Sequence, residues 1–159
     1  MAVVVGFVGY ANSGKTTVIA NVLLVLKKKG YQVAVIKHDA HGHYKEAPHT
    51  DSSLFIGEGA DTVVTVSPGY IHRFEKKAAE DLAAIITSLE AMDYILIEGF
   101  KMESYPQIAV FRNEEQSRII HNLKSAPLAI ATNMNYESSN IRVLSLDDAE
   151  SIALFIEKV

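Results

Sequence analysis

The sequence contains no cysteine, which excludes disulfides, thiol nucleophiles and cysteine-ligated zinc. It also lacks a basic excess: the formal net charge is −4, which argues against binding nucleic acid by bulk electrostatics. No apolar run is as long as a membrane span. The apolar N-terminal run has no basic segment before it and leads directly into a glycine-rich loop, so we expect no signal peptide. These absences predict a soluble, cytoplasmic protein with neither a nucleic-acid nor a membrane partner.

The composition that remains is that of a globular protein. Hydrophobic residues make up 48% of the chain and charged residues 21%, which is typical of a folded domain. A chain of 159 residues is long enough for a single substantial core. No repeat, low-complexity segment or linker divides it. We therefore expect one domain over residues 1–159.

Short apolar runs alternate with segments of helical periodicity along the chain. Residues 3–9 predict a strand that is buried on both faces, and residues 15–29 predict a helix with one broad apolar face. A second long helix is predicted at 75–91, and Asp147 is expected to cap a last helix. Further strands are predicted at 32–38, 61–67, 93–99, 107–111, 127–133 and 141–146. This alternation indicates an α/β fold, with a mostly parallel sheet and helices on both faces.

The stretch GYANSGKT, residues 9–16, matches the phosphate-binding pattern G-x-x-x-x-G-K-[ST]. It lies between a predicted strand and a predicted helix, as this P-loop motif requires. The glycines let backbone amides turn toward phosphate oxygens, and the helix N-terminus adds partial positive charge. We expect Lys15 to reach the β- and γ-phosphates and the Thr16 hydroxyl to bind magnesium. A chance glycine turn with an exposed lysine is the alternative, which the setting of the motif disfavours.

Such a phosphate site needs an acidic residue on a neighbouring strand. Glu98 follows four apolar residues at the end of the predicted strand 93–99. Ligands of open α/β sheets gather at the carboxyl ends of the strands, so we expect Glu98 near the P-loop. Asp93 begins the same strand and should lie at the opposite edge. The alternative is a solvated carboxylate, but the pattern resembles the Walker B motif in form.

Residues 37–51 hold four of the six histidines of the chain. One hypothesis is a zinc or nickel site built from His and carboxylate ligands, and another is a polar surface loop. The third, which we favour, is a loop that handles the nucleotide or substrate, since a loop this long is more often functional or disordered than inert. Asp39 follows the second strand directly, where its carboxylate would face the magnesium. The polar residues concerned are Lys37, His38, Asp39, His41, His43, His49 and Asp51.

Five segments together resemble the MobB family: GYANSGKTT, IKHDAHGH, TDSSLFIGEGAD, ILIEGFK and ATN. The resemblance spans essentially the whole chain, and the Lys-His-Asp and Glu-Gly-Phe-Lys stretches make it specific. It implies a P-loop α/β fold, GTP and Mg²⁺ as ligands, weak GTPase activity and a homodimer. It also implies partnership with MobA, the guanylyltransferase that joins GMP to molybdenum-bound molybdopterin in forming molybdopterin guanine dinucleotide.

The resemblance also implies roles for individual residues. Lys15, Glu98 and Asp39 would act in catalysis, and Thr16, Glu98 and Asp39 would serve the magnesium ion. No Asn-Lys-x-Asp motif is present, and ATNMN occupies the place where guanine should be recognised, so GTP rather than ATP rests on the resemblance alone. The residues implied to bind the cofactor are Gly9, Tyr10, Ala11, Asn12, Ser13, Gly14, Lys15, Thr16, Thr17, Lys37, His38, Lys101 and Asn133.

Three other functions compete with this one. A small-molecule kinase would usually use several arginines to clamp phosphates, whereas the four arginines here are scattered and form no lid segment. A nickel metallochaperone GTPase is favoured by the histidines and disfavoured by the missing cysteines and the lack of a histidine tail. A binding module whose nucleotide only locks a dimer cannot be separated from the MobB hypothesis by sequence.

Overall fold

A computed structural model describes residues 1–77 and 81–159, whose contacts form two compact units. The first unit comprises Met1–His38 and Ala84–Val159, and the second comprises Asp39–Ala83. The single domain expected over residues 1–159 stays a prediction. Among the described helices, none has the length and apolar character needed to span a membrane. In chain order the elements are β1 (Val3–Val8), α1 (Lys15–Lys28), β2 (Val33–Lys37), α2 (Asp51–Gly57), β3 (Thr62–Val66), β4 (Ile71–Glu75), α3 (Leu82–Ser88), β5 (Tyr94–Glu98), β6 (Gln107–Val110), α4 (Glu114–Ser117), a 3₁₀ helix (Arg118–Asn122), β7 (Ala129–Ala131), β8 (Arg142–Leu144) and α5 (Ala149–Ile156).

Six strands of the first unit form one sheet in the order β2-β5-β1-β6-β7-β8. Every neighbouring pair in this sheet is parallel, so the carboxyl ends of all six strands lie at one edge. β1 is an inner strand between β5 and β6, and the loop that follows it therefore lies near the middle of that edge. The predicted α/β fold with a mostly parallel sheet is confirmed.

Both faces of the sheet are apolar because successive side chains of a buried strand point to opposite sides. In β1, Val5 and Phe7 face the cluster formed by α1 and α5. Val8 faces the other side, where Ile119 of the 3₁₀ helix packs. Each fully buried side chain of this kind contributes roughly 1.5–3 kcal/mol. This burial holds the end of β1, and with it the start of the glycine loop, in a fixed position.

The second unit contains an antiparallel pair that the sequence only half predicted. The predicted strand at 61–67 exists as β3, but it pairs with β4 and does not join the parallel sheet. A turn links the two strands, in which the Ser67 amide donates to the Tyr70 carbonyl at 3.0 Å. The predicted helix at 75–91 was wrong at its start, because Glu75 ends β4 and α3 begins at Leu82. Residues 78–80 of that predicted helix lie outside the described residues.

The cap of the last helix is one residue later than predicted. Asp148, not Asp147, is the N-cap of α5, and its carboxylate accepts hydrogen bonds from the Ser151 amide at 2.9 Å and the Ser151 hydroxyl at 2.6 Å. These hydrogen bonds lower the pKa of Asp148 below its ordinary value, the hydroxyl contributing most. The neighbouring Asp147 therefore has no part in capping.

Candidate nucleotide-binding site

The loop between β1 and α1 borders a cavity of about 390 Å³, lined by residues 11–17 together with Glu98 and Arg112. Asn12 and Gly14 both adopt left-handed backbone conformations, with φ of 59° and 98°. No side chain of the described residues caps the N-terminus of α1. The first amides of this helix are thus available to an anion, and the helix dipole favours negative charge there.

Gly9 is required by the close packing of the loop on the neighbouring strand. A Cβ atom at this position would lie 2.4 Å from the Val110 carbonyl oxygen and 2.5 Å from Ser13 Oγ. Ser13 itself is buried, and its hydroxyl has no hydrogen-bond partner among the described residues. The first glycine of the motif therefore lets the P-loop lie directly against the end of β6.

Lys15 is turned back onto the loop that precedes it. Its Nζ donates a hydrogen bond to the Tyr10 carbonyl at 2.8 Å, and the Asn122 side-chain amide in turn donates to the Tyr10 hydroxyl. Burial lowers the pKa of Lys15, Glu98 opposes this effect, and the nearby positive charge of Lys37 adds to it. An anion bound in the cavity would favour the charged ammonium group.

The structure brings Thr16 and Glu98 together, as the sequence predicted. The Thr16 hydroxyl donates to Glu98 Oε1 at 2.7 Å, because Glu98 pairs with Phe7 in the register of β1 and β5 and so ends beside the P-loop. Asp93 lies at the other end of β5, where its carboxylate accepts a hydrogen bond from the Gln32 amide. A hydroxyl and a carboxylate are oxygen ligands of the kind that Mg²⁺ prefers.

Three further cations lie near this edge of the sheet. Lys37 ends β2 directly opposite Glu98, and Lys101 Nζ lies 5.9 Å from the centre of the Tyr10 ring. The Arg112 guanidinium packs on Gly14, such that a Cβ at that glycine would lie 2.8 Å from Nη2. Sequence reasoning missed Arg112, although this residue follows the predicted strand 107–111 in the same way that Glu98 ends its own strand.

His38 directly follows β2 and lies beside the turn that follows Glu98. Its backbone amide donates to the Glu98 carbonyl at 2.9 Å, and its ring stacks on Phe100 with centroids 4.2 Å apart. Gly99 and Phe100 adopt left-handed conformations, with φ of 93° and 52°. A Cβ at Gly99 would lie 3.0 Å from the Cβ of His38. The absence of a side chain at Gly99 therefore leaves room for this histidine.

Asp39 begins the second unit and is bound within its own loop. Its Oδ2 accepts a hydrogen bond from the Tyr44 amide at 2.6 Å. Backbone hydrogen bonds, from Tyr44 first and then from His43, hold the pKa of Asp39 below its ordinary value of 3.8. The interaction therefore stabilises the turn above pH 3.8 and is lost as the pH falls through the lower folded-state pKa. The assignment of Asp39 to a magnesium site stays a prediction.

The other loop histidines lie in the same unit. The rings of His41 and His43 are 5.4 Å apart between centroids and tilted by 35°. Over residues 1–77 and 81–159, no group of three or more His, Asp or Glu side chains is arranged to hold a metal ion.

Asn133 lies at a second cavity of the first unit, lined by residues 132–134, 143–145 and 147. Its side-chain oxygen accepts hydrogen bonds from the Ser145 hydroxyl and the Leu146 amide, both at 3.0 Å. Its side-chain nitrogen donates to Asp147 Oδ2 at 2.7 Å. Asn133 thus fastens the end of β7 to the turn between β8 and α5, and Asp147, which sequence analysis treated only as a cap, shares its cavity.

The sheet is parallel, a G-x-x-x-x-G-K-T loop follows its inner strand β1, and an acidic residue ends the neighbouring strand β5. Together these features define a P-loop NTPase-like protein. The family profile described as "MobB: Molybdopterin guanine dinucleotide synthesis protein B" matches residues 4–133. The chain belongs to the MobB family.

Individual relatives agree with this assignment. The chain is 29% identical over 155 residues to a Haemophilus influenzae protein named molybdopterin-guanine dinucleotide biosynthesis adapter protein, with 96% of this chain and 86% of that protein covered. It is 33% identical over 119 residues to a Bacillus subtilis protein named as a probable adapter of the same kind, with 70% and 66% covered. The crystal structure of Bacillus subtilis MobB superposes with a TM-score of 0.78 at 26% identity, covering 98% of this chain and 97% of that one.

Proposed function

We propose that this protein is a magnesium-dependent GTP-binding adapter with weak GTPase activity, which assists the guanylylation of the molybdenum cofactor to molybdopterin guanine dinucleotide. The observation that carries the proposal is the 2.7 Å contact between the Thr16 hydroxyl and Glu98 at the P-loop, in a chain of the MobB family. The pathway and the adapter role are those named for the Haemophilus influenzae relative.

The phosphates would be bound chiefly by the backbone amides of residues 9–17 and by Lys15. To bind them, Lys15 exchanges its hydrogen bond with the Tyr10 carbonyl for one with an anionic phosphate oxygen, so that both partners of the hydrogen bond are charged. Arg112 packs on Gly14 and adds a second cation at the same cavity. The local positive charge of the site thus suits a polyphosphate although the whole chain is acidic.

The side chains fit a magnesium ion because Thr16 and Glu98 offer oxygen donors next to the phosphate loop. Bound magnesium supplies charge neutralisation for the β- and γ-phosphate oxygens. In hydrolysis, water attacks the γ-phosphorus, the bond to the β,γ-bridging oxygen breaks, and GDP and inorganic phosphate leave. Glu98 would orient the attacking water or a water of the metal shell.

The partner that we propose is MobA, the guanylyltransferase that consumes GTP and molybdenum-bound molybdopterin. We also propose that the adapter acts as a homodimer. The adapter role named for the relatives supports a partner in this pathway, and a protein with weak turnover serves such a partner by binding the nucleotide rather than by consuming it.

A reconstituted reaction tests this function. The guanylyltransferase, molybdenum-bound molybdopterin and Mg-GTP are incubated with the parent protein, with Lys15→Ala or with Lys28→Ala, and the dinucleotide product is quantified. Lys28 lies in the last turn of α1, away from the motif, and is the matched control. We expect the parent and Lys28→Ala to raise the product yield above that of the reaction without adapter. Lys15→Ala should leave the yield close to that of the reaction without adapter. An equal yield with and without the parent protein would contradict the proposal.

A further inference from the structure

The turn between β8 and α5 presents a carboxylate whose orientation is fixed. Asp147 Oδ2 accepts the hydrogen bond from Asn133 Nδ2 at 2.7 Å, and the Asp147 amide donates to Ser145 Oγ at 3.3 Å. Ser145 Oγ in turn donates to Asn133 Oδ1. The Asp147 side chain is exposed in the cavity that Thr132 and Met134 also line. Its other oxygen, Oδ1, has no hydrogen-bond partner among the described residues.

This carboxylate lies at the same edge of the sheet as the P-loop. The relevant strands stand in the order β1-β6-β7-β8 and are all parallel. With neighbouring strands about 4.8 Å apart, the ends of β7 and β8 lie roughly 10 and 14 Å from the end of β1. A nucleotide whose phosphates rest in the P-loop would pass over the end of β6, where Arg112 lies, and bring its base to this cavity.

The hydrogen bonds of Asn133 leave it little capacity to recognise a base. Its side-chain oxygen already accepts two hydrogen bonds, and one of its N–H groups is given to Asp147. The Asp147 carboxylate, by contrast, has about four positions that accept hydrogen bonds, one of which Asn133 uses. Of these two side chains, the carboxylate is therefore the one with more free capacity to bind a base.

The chemistry of the two purines distinguishes them at such a group. Guanine presents two adjacent donors, N1–H and the exocyclic N2 amine, which together match the two oxygens of a carboxylate. Adenine presents an unprotonated N1, and that acceptor would face the negative charge of the carboxylate. A site built to pair with donors rejects an analogue that lacks them, because its polar groups are then left unpaired.

We propose that Asp147 is the residue that selects guanine, and that Asn133 is a positioning residue that orients its carboxylate. This inference rests on the proposed function, since it assumes that a nucleotide binds with its phosphates in the P-loop. In this proposal, the Asp147 carboxylate, which follows β8, takes the role of the missing Asn-Lys-x-Asp motif.

Replacing the Asp147 carboxylate with an amide, which both donates and accepts hydrogen bonds, tests the inference. An amide in place of the carboxylate, Asp147→Asn, keeps one acceptor and gains a donor, which matches xanthine, whose C2 carbonyl replaces the guanine amine. Calorimetric titration of the intact protein with GTP, ATP and xanthosine triphosphate, each with magnesium, should show GTP affinity falling roughly 10- to 100-fold. Xanthosine triphosphate affinity should rise above that of the parent. Asp148→Asn, which retains a good helix cap, is the matched control and should keep the affinities of the parent.

A second measurement uses the parent protein alone. Inosine triphosphate lacks only the N2 amine, and we expect it to bind about tenfold more weakly than GTP. Equal affinity of the parent for inosine triphosphate and GTP, or an unchanged GTP preference in Asp147→Asn, would overturn the assignment of Asp147. Failure of the parent to bind any of these nucleotides would instead overturn the proposed function, and the inference with it.

Discussion

At the scale of single residues, two side chains of the P-loop have protein partners that a nucleotide would displace. Lys15 Nζ is bonded to the Tyr10 carbonyl, and the Thr16 hydroxyl is bonded to Glu98. Neither group is left unpaired, and one of the two partners, Glu98, is itself a group that our proposal uses. We infer that binding replaces two internal hydrogen bonds with contacts to the phosphate and the metal ion.

The role of Glu98 can be isolated by an isosteric change. Glu98→Gln keeps an oxygen that accepts the hydrogen bond from Thr16 and removes only the negative charge. Magnesium should raise the GTP affinity of the parent, and we expect this increase to be roughly tenfold smaller in the variant. The reason is that a hydrogen bond to a charged group contributes about 1.5–3 kcal/mol. The melting temperature should hardly change, because Glu98 is only partly buried at a strand end. An unaltered magnesium dependence in the titration would reduce Glu98 to a solvated carboxylate.

The sequence predicted the site residues whose position follows from a local motif. It did not predict those whose position depends on the order of the strands in the sheet. Lys15 and Thr16 sit at set places in a local pattern, and Glu98 ends a strongly apolar run. Arg112 and Asp147 reach their cavities only because β6 and β8 join the sheet on the other side of β1. No spacing along the chain encodes that strand order, and hence no role in a site was predicted for either residue.

At the scale of elements, the P-loop depends on how closely it packs against β6. Gly9→Ala places a Cβ 2.4 Å from the Val110 carbonyl, so loop or strand must shift. Overpacking of this kind costs about 1–3 kcal/mol of the free energy of unfolding. Gly57→Ala is the matched control, because a Cβ there meets no atom within 4 Å and alanine favours the helical backbone. Denaturant unfolding should show a loss for Gly9→Ala alone, and equal stability of the two variants would contradict the packing argument.

Variants of the loop after β2 can distinguish two hypotheses for its histidines, which are nucleotide or substrate handling and transition-metal binding. We expect His38→Ala and Asp39→Ala to lower GTP turnover or the assistance given to the guanylyltransferase, because both residues follow directly on Lys37 at the end of β2. Replacing His41 and His43 together should matter less. Melting curves for each variant control for lost packing, since the His38 ring stacks on Phe100. Stoichiometric, tight zinc or nickel binding in equilibrium dialysis, abolished in the double variant, would favour a metallochaperone instead.

Elements with a strong local pattern were predicted well, and those defined by pairing were not. The apolar run before Glu98 and the amphipathic pattern of α1 lie where the periodicity placed them. The segment IHRFE has no continuous apolar run, and it becomes strand β4 through its antiparallel pairing with β3. Because that pairing takes up Glu75, the helix expected from this residue begins at Leu82.

At the scale of the whole molecule, the net charge and the charge of the site have opposite signs. The chain carries −4 overall, yet Lys15, Lys37, Lys101 and Arg112 all lie around one edge of the sheet. Such local concentration of charge steers an anion to the site. A strongly anionic ligand is therefore compatible with an acidic protein.

Ligand binding should also appear in the thermal stability of the whole protein. At a free Mg-GTP concentration of about 100 times Kd, binding to the folded state alone adds roughly 2.7 kcal/mol. For a protein of this size, 1 kcal/mol raises Tm by about 2–4 °C, so we expect a rise of roughly 5–10 °C. Differential scanning calorimetry of the parent and of Lys15→Ala measures this directly. A rise of the same size in both proteins would place the nucleotide outside the P-loop.

The central claim is that the P-loop of residues 9–16 binds a magnesium nucleotide, and calorimetric titration with GTP tests it most directly. Parent, Lys15→Ala and Lys28→Ala are each titrated with and without magnesium. The account predicts stoichiometric binding that magnesium strengthens, a loss of roughly 10- to 100-fold in affinity for Lys15→Ala, and no loss for Lys28→Ala. Lys15→Ala binding GTP as tightly as the parent would contradict it.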